Sequence, residues 1–239
     1  MERLGIGILC LQETHRSASI YYDTDDGYLL ILSGDGGESE NAGVGFLISP
    51  GMRRSIIGFC QASSRMATLK LRIRGGKTSI FSVYAPHNGK PIDERRGFYN
   101  GLGELLGSTS AHGLVLLYGD FNARLYRRFP TEEDIIGDHI FGNTSRAEFN
   151  HDSNRSLLVE MCMSHKLVIG NTLFDEPPER QITCYNVGAN PGDEILPNRF
   201  GQIVFVLISK EWVHLYWKFI VTGRTGYQHI IFYSVQRCT

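Results

Sequence analysis

At 239 residues, 42% hydrophobic and 11% aromatic, the chain can bury one sizeable core; global disorder is excluded, and residues 1–239 read as a single domain. The 24 basic and 25 acidic residues leave a net charge of −1, which excludes coating of nucleic acid by bulk charge but not a local groove at Arg53-Arg54, Arg95-Arg96, Arg124 and Arg127-Arg128. Five scattered cysteines (Cys10, Cys60, Cys162, Cys184, Cys238), none spaced C-x-x-C, argue against a disulfide framework or zinc site and for an intracellular, reduced setting in nucleus or cytoplasm; the start of the chain reads as neither secretory leader nor membrane span.

Short strand-like runs dominate the first third, at Ile8–Leu11, Tyr28–Leu32, Val44–Ser49, Ser55–Gln61, Met66–Ile73 and Ser79–Tyr84. In "TLKLRIR" apolar and polar residues alternate, so one face is buried and the other wet. A helix is expected over 92–108, where Phe98, Leu102, Leu105 and Leu106 fall near helical spacing despite several glycines. "GLVLLYGDFNA" is a buried strand running into a polar turn. "SNRSLLVEMCMSHKL" is a helix with Ser153 or Asn154 placed to cap it. "LVIGNTLF", "QIVFVLIS", "HLYWKFIV" and "HIIFYSV" complete the set as strands, and 185–201 is a long irregular loop. Many strands with interspersed helices and no dividing linker predict one mixed α/β domain.

Three apolar strands end in chemistry-bearing residues. "ILCLQETH" delivers Glu13, "IFSVYAPH" delivers Tyr84, and "LVLLYGDFNA" delivers Asp120 and Asn122 toward a common rim. Taken singly these are ordinary features: a glutamate after a strand is usually a solvated end, and "GDFN" is a turn sequence in its own right. Taken together, two carboxylates, a phenol and an amide are what a hard divalent cation and a phosphate group require.

In order and composition these segments, with "LVIGNTLF" and the Gly137, Asn154, Leu157-Leu158 and Cys162 spacing, resemble the endonuclease/exonuclease/phosphatase family over nearly the whole chain. Within it the resemblance is to the endonuclease domains of non-LTR retrotransposons and the craniofacial development protein 2-like chains derived from them. It implies a DNase I-like, four-layered α/β sandwich, two packed mixed β-sheets flanked by helices. It also implies a Mg2+ (or Mn2+) dependent phosphodiesterase that nicks DNA, with no membrane partner. Glu13 and Asp120 would be metal ligands, Tyr84, Asp120, Asn122 and His229 catalytic, and Arg65 and Asn122 substrate-binding.

The chain departs from the family pattern at three points. The family begins one strand earlier with an asparagine ligand, so the first strand is expected to be missing and the edge of "ILCLQ" uncovered. Val204 in "QIVFVL" and Gln228 in "YQH" stand where the family has carboxylates, which leaves His229 without its orienting partner. A compromised catalyst is therefore expected. The alternatives are a non-catalytic remnant of the fold that binds nucleic acid or protein and, less favoured, a phosphatase acting on a small molecule or lipid. Asp138-His139, Asp193 and Glu194 are decoys on loops.

Overall fold

The computed structural model describes residues 1, 6–16, 18–34, 42–73, 76–109, 113–142, 150–190, 192–215, 219–223 and 228–232, with side chains described as far as residue 214. Four antiparallel strands form a first sheet in the order β1-β4-β3-β2: β1 (Ile8–Gln12), β2 (Ile20–Asp23), β3 (Leu29–Ser33) and β4 (Val44–Ile48). A helical turn, α1 (Pro50–Arg53), leads to the second sheet.

The second sheet has the order β5-β6-β7-β8-β12-β9. Its strands are β5 (Ile56–Ser63), β6 (Met66–Ile73), β7 (Gly76–Tyr84), β8 (Leu114–Asp120), β9 (Leu167–Ile169) and β12 (Val204–Ser209). β7 and β8 pair in parallel, joined through helix α2 (Ile92–Gly107); the other pairings are antiparallel, so this sheet is mixed. Helix α3 (Asn154–His165) precedes β9, and the short helix α4 (Pro178–Gln181) leads into a two-residue ribbon, β10 (Cys184–Tyr185) with β11 (Phe200–Gly201). β13 (Phe219–Gly223) and β14 (Gln228–Phe232) pair with one another.

Side-chain parity divides the core in two. Between the sheets lie Ile8, Cys10, Ile31 and Phe46 from one side and Leu69, Ile80, Leu116, Tyr118 and Val204 from the other. Phe81, Val83, Leu117 and Phe205, of opposite parity, meet Phe98, Leu102, Leu158 and Cys162 of α2 and α3. With both faces covered, β8 is buried almost throughout, which is why "LVLLYGD" shows no alternation. α2 survives its glycines because its apolar face has a core to fill, and Gly103 permits close approach: a Cβ there would come within 3.0 Å of His165.

This α/β sandwich is the expected fold class, with helix, sheet and sheet layers visible among the described residues. The helices and most strands fall where periodicity put them. Ser153 does cap α3, its Oγ accepting from the Ser156 N–H at 3.2 Å.

Several local expectations differ. "LVIGNTLF" is a strand only to Ile169 and then a 3-10 turn over Gly170–Leu173. Thr172 explains this: its hydroxyl donates to the Ile169 carbonyl at 2.7 Å and accepts from Gly137 N–H at 2.7 Å, folding the chain away from the ladder. Asn171 then continues β9 by side chain alone, donating to Val204 O at 3.4 Å and accepting from Val206 N–H at 2.7 Å.

β2 was not anticipated. It is a largely exposed edge strand, with Tyr21 69% accessible. In "HLYWKFIV", His214 belongs to a 3-10 turn (Lys210–Leu215), residues 216–218 lie outside the described residues, and the strand is Phe219–Gly223. The ends of the 185–201 loop are joined in the β10–β11 ribbon, and within it Arg199 pairs with Asp193 at 2.6 Å. β1 is the edge strand of its sheet, and β14 lies close to it without joining its ladder.

Candidate active site at the strand ends

β1 packs across β7 and β8. Its end is fixed there by polar contacts: Gln12 Nε2 donates to Ser82 Oγ at 3.1 Å, and that hydroxyl donates to Leu11 O at 3.0 Å. The strand stops at Glu13, whose backbone is left-handed (φ 52°), and the side chain turns into solvent above β7. In the parallel pairing Tyr84 lies beside Asp120, so three strand ends deliver Glu13, Tyr84 and Asp120 to one place.

The electrostatics of the three are coupled. Burial raises the Tyr84 phenol well above its usual range, and the charge of Glu13, the hydrogen bond it donates to Glu13 and the charge of Asp120 raise it further; Arg65 opposes. Tyr84 therefore keeps its proton and acts as a donor. Asp120 is pushed up to about 7, chiefly by burial and secondarily by Glu13, against the hydrogen bond it accepts from Asn122. It is 3% exposed and stands opposite Val204, whose side chain offers it no partner.

Asn122 closes the turn after β8. Its N–H donates to Asp120 Oδ1 at 2.7 Å, and its Nδ2 donates to Ala85 O at 2.7 Å, from a left-handed backbone (φ 48°). A left-handed conformation is costly at Glu13, whereas asparagine is among the residues that adopt it readily. Gly119 is obligatory just before: a Cβ there would lie 2.0 Å from Val83 O. Arg65, in the β5–β6 turn, lies over the Tyr84 ring at 5.1 Å and donates to Tyr84 O at 3.4 Å.

The structure thus brings together Glu13, Arg65, Tyr84, Asp120 and Asn122. The side chains of Gln228 and His229 lie outside the described residues; their backbone is in β14, against β1. Val204 is a fully buried core residue directly across from Asp120. Asp138 pairs with Arg128 at 2.8 Å, His139 lies 3.6 Å from Asp175, and Asp193 holds Arg199, so these three are otherwise engaged; Glu194 is exposed on the 185–201 loop. Of the basic clusters, Arg53 pairs with Asp23, Arg96 with Asp152, and Arg95 is buried.

Two groups that hold the site from beneath had no site role assigned from sequence. Tyr99 donates to Phe121 O at 3.0 Å, and Asn154 donates to Pro86 O at 2.7 Å and Asn122 O at 3.1 Å. Asn154 lies within the family spacing, but spacing carries no role. Among the described residues no group of three or more His, Cys, Asp or Glu gathers; the oxygen set at the rim is two carboxylates, a phenol and an amide. Two carboxylates suffice for a hard cation that completes its shell with water and phosphate oxygens, and a cation there would relieve the like-charge contact that helps raise Asp120.

No family model matches the chain. It is 29% identical over 213 residues to craniofacial development protein 2 of Bos taurus, an alignment covering 89% of this chain but 33% of that protein, so the chain spans about a third of that relative's length. Among solved structures it superposes on the Xenopus laevis APE2 catalytic domain with a TM-score of 0.64, 14% identity, and coverage of 97% of this chain and 84% of that one. For an endonuclease/exonuclease/phosphatase family protein of Leptotrichia buccalis the TM-score is 0.56, with 14% identity and 95% and 87% coverage. The endonuclease domain of TRAS1, a telomere-specific non-LTR retrotransposon, gives 0.50, with 11% identity and 84% and 80% coverage. The chain has the α/β sandwich fold of the AP endonucleases, the retrotransposon endonuclease domain and the endonuclease/exonuclease/phosphatase proteins.

Proposed function

We propose that the chain is a retroelement-derived, divalent-metal-dependent phosphodiesterase that nicks DNA slowly because its site lacks two carboxylates. One observation carries this reading: Glu13, Tyr84 and Asp120 meet at three strand ends, with Asn122 beside them in the turn that follows β8. Glu13 and Asp120 would hold magnesium or manganese, which when bound supplies Lewis-acid polarisation of a phosphodiester oxygen.

The chain's own groups account for the rest. Tyr84, holding its proton, donates to a non-bridging phosphate oxygen, and the second amide hydrogen of Asn122 does the same. Asp120, buried at the rim and opposite the end of β12, is placed to orient an attacking water beside the cation that it and Glu13 would hold. Arg65, half-buried on Tyr84, contributes a cation for a neighbouring phosphate. In this reading His229 meets the charge that develops on the transferred phosphoryl group. No carboxylate at 204 is available to orient it, which is why the rate is low.

Supercoiled-plasmid nicking with Mg2+, with Mn2+ and with EDTA tests the proposal. Slow metal-dependent nicking that disappears in Asp120→Ala is expected; no nicking, or nicking unaffected by Asp120→Ala, overturns it. The buried apolar Val204 favours one second reading, a non-catalytic remnant, which predicts salt-sensitive DNA binding without cleavage in any metal.

A further inference from the structure

The strands position Tyr84 and Asp120; one further backbone bond follows each, Ala85 N–H to Asp120 O at 2.8 Å and Phe121 N–H to Ile203 O at 3.0 Å, and beyond these the two loops leave the sheet. We infer that Asn154 is a positioning residue of the site, its buried carboxamide stapling the loop after β7 to the turn after β8 and so holding Asn122 in place. The consequence for rate rests on the phosphodiesterase reading; the geometry does not.

Asn154 has no solvent exposure. Its Nδ2 donates to Pro86 O at 2.7 Å on one loop and to Asn122 O at 3.1 Å on the other, with a longer contact to Phe121 O at 3.4 Å. Its Oδ1 accepts from Arg95 Nη1 at 3.4 Å, and its backbone N–H donates to Asn88 Oδ1 at 2.9 Å. Arg95 is itself anchored on Lys90 O at 3.0 Å and on the Asp152 carbonyl. One side chain thus joins α2, α3 and both site loops.

An asparagine at the start of a helix is ordinarily a cap. Here Ser153 already caps α3, which frees the Asn154 amide for partners 32 and 68 residues away. The chemistry is also specific. Aspartate has the shape but no donor, leucine has neither donor nor acceptor, and glutamine is one methylene too long for a fully packed position.

Hydrogen exchange followed by NMR on the metal-free chain separates positioning from general structure. The reporters are the backbone N–H groups of Ala85, bonded to Asp120 O, and Asn122, bonded to Asp120 Oδ1. The references are Leu116 and Leu117 in the middle of β8. In Asn154→Asp and Asn154→Ala the reporters should exchange roughly tenfold faster or more, with the references within about twofold of wild type.

Unchanged reporters overturn the inference, and so does an equal loss at reporters and references. If the alanine variant does not fold, the isosteric aspartate variant decides; if neither folds, Asn154 is structural and the inference fails. Nicking assayed in parallel should fall with the reporters. Absence of metal-dependent nicking in the wild type would sink the phosphodiesterase reading while leaving the exchange result to judge Asn154.

Discussion

The two sides of the site are built to different standards. On the β7, β8 and α3 side, polar groups are buried and partnered. Asn154 serves two loops, Tyr99 supports Phe121 O, and Arg155, stacked against Phe129, pairs with Glu132 while donating to the Arg127 carbonyl. On the β12 and β14 side stand a buried valine and a neutral amide at 204 and 228. The difference teaches that shaping a site and charging it are separable tasks. The shaping bonds contribute to folding, whereas each added carboxylate in this apolar rim opposes it; burial already pushes Asp120 up to about 7. A chain can therefore lose charge here and gain stability while its loops keep their form.

The largest effect should come from breaking the well-built side. Arg155 and Glu132 are both buried, so Arg155→Ala would leave an uncompensated carboxylate. Loss of about 3–5 kcal/mol in urea unfolding is expected. A loss under about 1 kcal/mol would mean that this side owes its order to apolar packing instead.

Next comes the cost of the charge that remains. The folded state holds the Asp120 proton to about pH 7, against an ordinary value of 3.8. With respect to this group, stability is greatest below about pH 4, declines as pH rises through 4 to 7, and carries the full penalty above that. Asp120→Asn removes the titration. The metal-free variant should be more stable than wild type at pH 8 by up to about 4 kcal/mol, with no gain near about pH 3.5. A pH-independent difference between the two proteins would refute the assignment.

Recharging the depleted side is the third intervention. Val204→Asp with Gln228→Asp should lower metal-free stability by about 3 kcal/mol, because the carboxylate introduced at 204 would lie opposite Asp120 in apolar surroundings. Millimolar Mg2+ should restore part of the loss, as expected when a ligand binds only the folded state. Plasmid nicking should rise at least roughly tenfold. Destabilisation that magnesium leaves untouched would argue that no cation site spans 120 and 204.

The fold was largely readable because its elements obey simple periods. "TLKLRIR" alternates about a half-buried sheet, "LVLLYGD" runs apolar because both its faces are covered, and Ser153 announces α3. β2 was not readable, since an exposed four-residue edge has no pattern beyond its neighbours. The candidate site was legible at the strand ends, in Glu13, Tyr84, Asp120 and the Asn122 of the turn that follows, while Arg65 was reached only through the family resemblance. The left-handed backbone at Glu13 leaves no trace in residue type, whereas at Asn122 the asparagine itself is a turn signal. Asn154 was opaque for a related reason: its partners are main-chain carbonyls on other elements, which any residue provides.

Smaller effects test how the two sides meet across Tyr84. Tyr84→Phe keeps the ring under Arg65 but removes the phenolic hydrogen proposed to meet the phosphate, so kcat for nicking should fall by about tenfold with stability changed by about 1 kcal/mol or less. Arg65→Ala should do least. The guanidinium is only partly buried, and its stacking and long hydrogen bond together are worth about 1 kcal/mol. If Arg65 meets a phosphate of the substrate, the variant should raise KM several-fold at low salt and leave kcat nearly intact. That difference should shrink as ionic strength rises, because a lost phosphate contact reduces the salt slope by about one. If its work is instead to hold the Tyr84 ring in place, kcat falls, KM stays, and the salt slope is unaltered, which would move Arg65 from the substrate surface to the shaping side of the comparison.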